Sequence, residues 1–207
     1  MTAYYLNLRA NGFPVDQAIR VVRHEVGHWI VGQYHGFKGG DLEITMVAAN
    51  NYRGHAVIQL ESDLTSIDRV KSYLIRRISV LYAGVLAESL SNGKVRNDFA
   101  VDELEKGGAT NDNKGIRELI RILRGITNGA PPSDDNKTEK QFRLLTNPIW
   151  AETTDIVETN NELIEDLTHQ ILGRAEKVGT KFGYRASTLR KIPALKAWLE
   201  ALPKAGA

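Results

Sequence analysis

Residues 14–36 read PVDQAIRVVRHEVGHWIVGQYHG, and their period decides the kind of chain this is. Ile19, Val22, Val26 and Ile30 recur three or four places apart, the spacing that lines up side chains on one face of an α-helix. Pro14 suits a first helical turn, where its missing N–H costs nothing. Gly36, Gly39 and Gly40 then end the helix and open a turn. The stretch predicts an amphipathic helix with a buried stripe.

Inside it, residues 24–28 read HEVGH. Positions i and i+4 of a helix face the same way, about 6 Å apart, so the imidazoles of His24 and His28 can converge on one ion. Glu25 projects beside that pair, within reach of a water held by the ion. Two neutral imidazoles plus a carboxylate suit zinc, and a zinc site used in catalysis keeps one position open for water. The bland reading is a helix with two surface histidines. A shuffled chain of this composition would show HExxH with a chance of about 1 in 100, so the motif is informative on its own but needs a third ligand. Gly27 is expected to leave open space beside the pair.

Working outward, 42–47 (LEITMV) and 54–60 (GHAVIQL) are rich in β-branched residues and flank the turn-like AANNYR, which predicts a hairpin. A second helix is expected from Thr65, with Thr65 and Asp68 at capping-box spacing and Val70, Leu74, Ile78, Leu81 and Val85 along one face to about Leu90. Residues 91–107 are polar and mixed, a loop with a short helix. A third helix is expected from Thr110 as N-cap, carrying Ile116, Leu119, Ile120, Leu123 and Ile126. The breaker-rich 128–140 reads as a loop. A long amphipathic helix over 152–177 (Ile156, Leu163, Leu167, Ile171) and a short one near 187–201 close the chain. The fold class is mainly α with a small β-hairpin. The reading is one domain over 1–207, with a core at 14–127 and a C-terminal helical part at 141–207.

Composition narrows the function classes. Of 207 residues, 42% are hydrophobic and 25% charged, as in ordinary globular proteins, and the net charge of +2 argues for neither a nucleic-acid nor a membrane partner. Arg76, Arg77, Arg121, Arg124 and Lys181 are scattered and read as solvated helix faces. There is no cysteine, which excludes a disulfide framework, a thiolate metal site and a cysteine nucleophile. No stretch approaches the roughly 18 consecutive apolar residues of a membrane span, and no basic-then-apolar leader opens the chain. A cytoplasmic location is the expectation. No GxxxxGK[ST] phosphate loop occurs.

For the third ligand, His35 is one candidate. In a continuous helix it lies about 16 Å from His24, too far to share an ion, and it reads as an exposed histidine near the helix end. Two carboxylates remain open: Glu88 in LYAGVLAESL (81–90) and Asp112 in GGATND (107–112). Each also has a bland reading, Glu88 as a helix-face acid in water and Asp112 as a first-turn acid favoured by the helix dipole.

In this order the segments HEVGHWIVG, LEITMV with RGHAVIQL, LYAGVLAESL and GGATND resemble the peptidase domain of the FtsH family of ATP-dependent zinc metalloproteases, over about residues 20–127. The resemblance implies His24, His28 and Asp112 as zinc ligands, Glu25 as general base, and Glu88 as a nearby acid that orients a ligand. The family's ATPase module and membrane anchor have no counterpart in these residues, the segment between Glu88 and Asp112 is longer than usual, and Ser89 stands where a second Glu is usual. The expectation is an ATP-independent zinc metalloendopeptidase acting on unfolded or flexible polypeptide, with a homo-oligomer left open. The rival is a non-proteolytic, partner-docking regulatory module that retains a structural metal site.

Overall fold

The structure, a computed structural model, describes residues 8–48, 51–59, 63–130 and 134–203. It is mainly helical with a small antiparallel sheet. The expected first helix is α1 (Val15–Tyr34), entered through Pro14 in extended conformation. It packs along α2 (Ile67–Glu88) in the opposite direction: His35, His28 and His24 meet Ser79, Val80 and Glu88 in turn. The approach is close because the contact residues are small. A Cβ built on Gly27 would strike the carbonyl of Ala83 and lie 2.6 Å from the Ala87 methyl. Gly27 is therefore a helix–helix contact and does not leave the open space expected of it.

Between these helices run β1 (Lys38–Ala48) and β2 (Asn51–Gln59). Leu42, Ile44 and Met46 alternate inward on β1 and are buried. The expected hairpin gains a third strand, β5 (Lys181–Tyr184), which pairs with β1 through Leu42↔Tyr184 and Ile44↔Phe182. The order is β2-β1-β5, so β2 lies at an edge. Local sequence gave no sign of β5, since its partner lies about 140 positions away. Leu60 and residues 49–50 of the expected turn lie outside the described residues.

After α2, Asn92 and Gly93 take left-handed φ values of 51° and 73° and join two short strands, β3 (Leu90–Ser91) and β4 (Lys94–Val95). Then follow α3 (Asn97–Lys106) and α4 (Thr110–Asn128). The short helix expected within 91–107 is α3, of 10 residues, and the part before it expected to be loop is a hairpin. Two expected caps move. Ser66, not Thr65, caps α2, its hydroxyl accepting from the Arg69 N–H at 3.2 Å. Thr110 is the first helical residue of α4, and Ala109 holds the N-cap position.

The helix expected over 152–177 is two. The first, α5 (Asp135–Thr159), begins inside the presumed loop, where the Asp134 carboxylate accepts from the Asn136 N–H. It continues through Pro148 and stops at Asn160, where α6 (Asn161–Leu172) begins. Residues 131–133 lie outside the described residues. The last expected helix divides into α7 (Ala186–Leu189) and α8 (Pro193–Ala201). One continuous apolar cluster runs from Leu8 to Leu195.

Gly27→Ala isolates the α1–α2 contact. Alanine favours a helix by about 1 kcal/mol over glycine. The added methyl has no room, so the expected outcome is a net loss of about 1–3 kcal/mol, read as a lower denaturation midpoint with unchanged slope.

Candidate metal centre

The HEVGH turn of α1 sits against α2 at Gly84. A Cβ there would lie 2.5–2.7 Å from His28 Cε1, His28 Nε2 and His24 Nε2. The bare backbone of Gly84 thus makes room for both rings, which meet edge-on with centroids 4.6 Å apart. Each ring is held from behind. His28 Nδ1 donates to the Val80 carbonyl at 2.7 Å, and His24 Nδ1 donates to Glu88 Oε2 at 3.1 Å. With both Nδ1 atoms carrying protons for these bonds, both Nε2 atoms turn to the opposite side.

On that side stands Asp112, in the first turn of α4. Its Oδ2 lies 3.0 Å from His24 Nε2 and 3.4 Å from His28 Nε2. One ligand atom from each of the three residues falls within 4.8 Å of the others, so the cluster could hold a metal ion. Two imidazole lone pairs and a carboxylate are all acceptors. Drawn this close, they need a proton or a cation between them.

The electrostatics express the same need. Burial opposes charging His24, but hydrogen bonds to Asp112 and Glu88 outweigh it and raise its pKa to about 10. Burial would also raise Asp112, yet the charge of His28 and hydrogen bonds from both histidines hold it well below the usual carboxylate range. Glu88 follows the pattern: burial pushes it up, and His24 and Arg20 bring it below its ordinary value.

The structure brings together five of the residues considered from the sequence, His24, Glu25, His28, Glu88 and Asp112. Glu25 is buried, and its carboxyl group lies on the bare backbone of Gly54 in β2, where any Cβ would collide with it. Glu25, both histidines and Asp112 line one cleft of about 540 Å³, whose other wall is Tyr52, Gly54, Ala56 and Ile58 of the edge strand β2. Glu88 is only 4% exposed, so it is not the solvated acid of the bland reading. His35 corrects in another direction. It is half-buried, and its Nε2 meets Ser79 Oγ at 2.8 Å. Burial and the Arg76 charge lower its pKa to about 4. It lies outside the group of three residues that could hold an ion.

Two residues that sequence reasoning passed over support the site. Arg20 lies one turn before His24. It donates to Glu88 Oε1 through Nε at 2.9 Å and Nη2 at 2.6 Å, and through Nη2 to Glu103 Oε1 at 2.7 Å. Glu103 Oε2 in turn accepts the Gly108 N–H at 3.0 Å, in the turn that opens α4. One guanidinium thereby ties the acid behind His24 to the acid behind the Asp112 turn. Its i−4 spacing from His24 was a visible signal; its pairing with Glu88 and Glu103, 68 and 83 positions away, was not. No family model matches this chain, and no curated protein matches it.

The sign of the pH dependence follows. A histidine raised in the folded state contributes stability that is complete below the unfolded pKa near 6.5 and disappears as pH rises through about 10. The depressed Asp112 contributes above its unfolded value near 3.8 and loses this as pH falls. Protein held in a chelator is therefore expected to be most stable at about pH 4–6.5 from these two groups, and to weaken steadily towards pH 10. Urea unfolding across that range measures it. His24→Ala should flatten the alkaline limb.

Proposed function

We propose that this protein is a zinc metalloendopeptidase of the HExxH type, acting without ATP on unfolded or flexible polypeptide. The observation that carries the reading is the convergence of His24 Nε2 and His28 Nε2 on Asp112 Oδ2, in the cleft that also holds the Glu25 carboxyl group. The donor set fits zinc. Ligands about 2.0–2.1 Å from a tetrahedral ion stand about 3.3 Å apart, and the separations here are 3.0 and 3.4 Å. The ordered resemblance of four segments to the FtsH-type peptidase domain supports the same assignment.

Zinc, when bound, would supply Lewis acidity towards a water and the scissile carbonyl. The other tasks fall to this chain's own residues. Glu88 and the Val80 carbonyl keep the Nδ1 protons of His24 and His28 and so present both Nε2 lone pairs forward. Glu25, beside the cluster, takes the proton of the attacking water and delivers it to the leaving amine. Edge strand β2 offers unpaired backbone groups to an extended peptide, and Gly54 lets that backbone lie against the Glu25 carboxyl group. A cleft that takes only extended chain requires segments already unstructured or locally opened.

A digest of casein with the purified chain tests the proposal. Slow cleavage is expected, abolished by 1,10-phenanthroline, unchanged by ATP and absent on a stable folded domain. Glu25→Gln should retain about one zinc per chain and lose at least about 10²-fold in turnover. No cleavage by fully zinc-loaded protein would sink the reading in favour of a docking module. In a competition titration against a chromophoric chelator, Asp112→Ala should lose the most affinity, with Glu88→Ala and Arg20→Ala milder at about 10–100-fold. An Asp112→Ala protein that bound zinc as tightly as wild type would remove Asp112 from the site.

A further inference from the structure

The cleft carries an unanswered positive charge at one end. Most inward-reaching arginines of this molecule have a partner. Arg20 is held by Glu88 and Glu103, Arg23 by Glu165, Arg124 by Gln141 and the Gly129 carbonyl, and Arg190 by Gln33 and the Gly39 carbonyl. Arg76 donates to the His35 carbonyl. Arg77 differs. It is half-buried in the cleft wall and has no hydrogen bond or ion pair among the described residues. It was expected on a solvated helix face and instead belongs to the wall facing β2.

Its place on that wall is set by helical spacing. Arg77, Val80, Leu81 and Gly84 stand at i, i+3, i+4 and i+7, one stripe of α2. Gly84 touches both imidazoles and the Val80 carbonyl anchors His28, so the stripe runs from the metal cluster out to Arg77. Seven residues of helix span about 10 Å. Along β2 the lining residues Tyr52, Gly54, Ala56 and Ile58 alternate with the exposed Arg53 and His55. Gly54 lies against Glu25, and Ile58 lies over Gly32, two turns further along α1. Since α2 runs opposite to α1, Arg77 and Ile58 share the far end of the cleft.

Apart from Glu25 and Asp112, which belong to the metal centre, no carboxylate lines this cleft among the described residues. The remaining charged lining is Arg77 and the exposed Arg53, with His55 at the rim. A half-buried guanidinium with free donors favours a carboxylate, which it can bind with two parallel bonds. An extended peptide rises about 3.3 Å per residue. A group about 10 Å from the reacting centre is then two or three residues from the scissile bond.

Resting on the peptidase reading above, we propose that Arg77 selects substrates bearing a carboxylate two or three residues from the scissile bond, on the side nearer Ile58. That carboxylate comes from an Asp or Glu side chain or from the chain terminus. The selection is electrostatic, so it weakens as salt rises.

The test uses zinc-loaded Glu25→Gln protein and fluorescein-labelled decapeptides in an anisotropy titration, so that binding is read apart from cleavage. The peptides carry Glu, Gln or Lys at successive positions, each with a free or an amidated C-terminus. The expected result is at least about ten-fold tighter binding for Glu over Gln at one position. Adding Arg77→Ala should erase the preference, and adding Arg77→Glu should reverse it in favour of Lys. A preference that follows only the free terminus assigns Arg77 to the terminal carboxylate. Equal binding of the Glu and Lys peptides, or a preference unchanged by Arg77→Ala, overturns the proposal. Wild-type protein digesting the same peptides separates the two readings. Charge-selective binding without cleavage retains Arg77 and removes the peptidase, whereas cleavage indifferent to charge does the opposite.

Discussion

The site depends on how closely α1 and α2 approach. Helix axes ordinarily stand 8–10 Å apart, at a distance set by the side chains between them. Here glycine or alanine stands at the points of closest contact. Gly27 of α1 meets the Ala83 carbonyl and the Ala87 methyl, and Gly84 of α2 meets the two imidazoles. The same contact does structural and chemical work. It lets the Val80 carbonyl and the Glu88 carboxylate reach Nδ1 of two histidines one turn apart. A wider spacing would leave both rings free to rotate, and their Nε2 lone pairs would no longer share a focus. Glycine in a helix costs about 1 kcal/mol against alanine, and the packing it permits is the compensation.

Charge is the second constraint. Three carboxylates, Glu25, Glu88 and Asp112, gather around two imidazoles, and one guanidinium joins Glu88 to a fourth, Glu103. Buried charges of one sign are costly unless they are paired. Arg20 meets part of that demand with three short hydrogen bonds, and its guanidinium carbon lies 4.8 Å from the Phe99 ring centroid. Protons on His24 meet the rest in the absence of a cation; a divalent ion would replace them. An ion entering such a cluster would displace protons, so its affinity would rise with pH.

How far the sequence disclosed this follows the range of each interaction. The helix, the i, i+4 histidine pair and the neighbouring Glu25 are local, and their spacing made them legible. Asp112 and Glu88 could be named but not ranked from local pattern; ordered resemblance ranked them. The partners of Arg20 depend on contacts across 68 and 83 positions, and β5 on pairing across the sheet, so neither leaves a local trace. Gly27 and His35 misled for one reason. A glycine or histidine on a helix reads the same whether its face meets solvent or another helix, and only the neighbour decides. The division at Asn160 was hidden because apolar spacing continues through it, from Ile156 to Leu163 and Leu167.

The segment between Glu88 and Asp112 shows how a long connection can serve a site. Read as sequence, residues 91–107 were a polar interval. In the fold they turn the chain at Asn92 and Gly93, run it through α3 and place Glu103 between Arg20 and the Gly108 N–H. Glu103 uses one oxygen for each, so the guanidinium that steadies Glu88 also steadies the turn into α4. His24 and Asp112 are 88 residues apart in sequence, yet they rest on one network: Glu88, Arg20, Glu103 and Gly108. A shorter connection without Glu103 would leave the Gly107–Gly108 turn to its own entropy, which is greatest for glycine. The Asp112 carboxylate would then reach the histidines in fewer of its conformations. The length of the segment is therefore tied to the position of Asp112, and Arg20 joins the two.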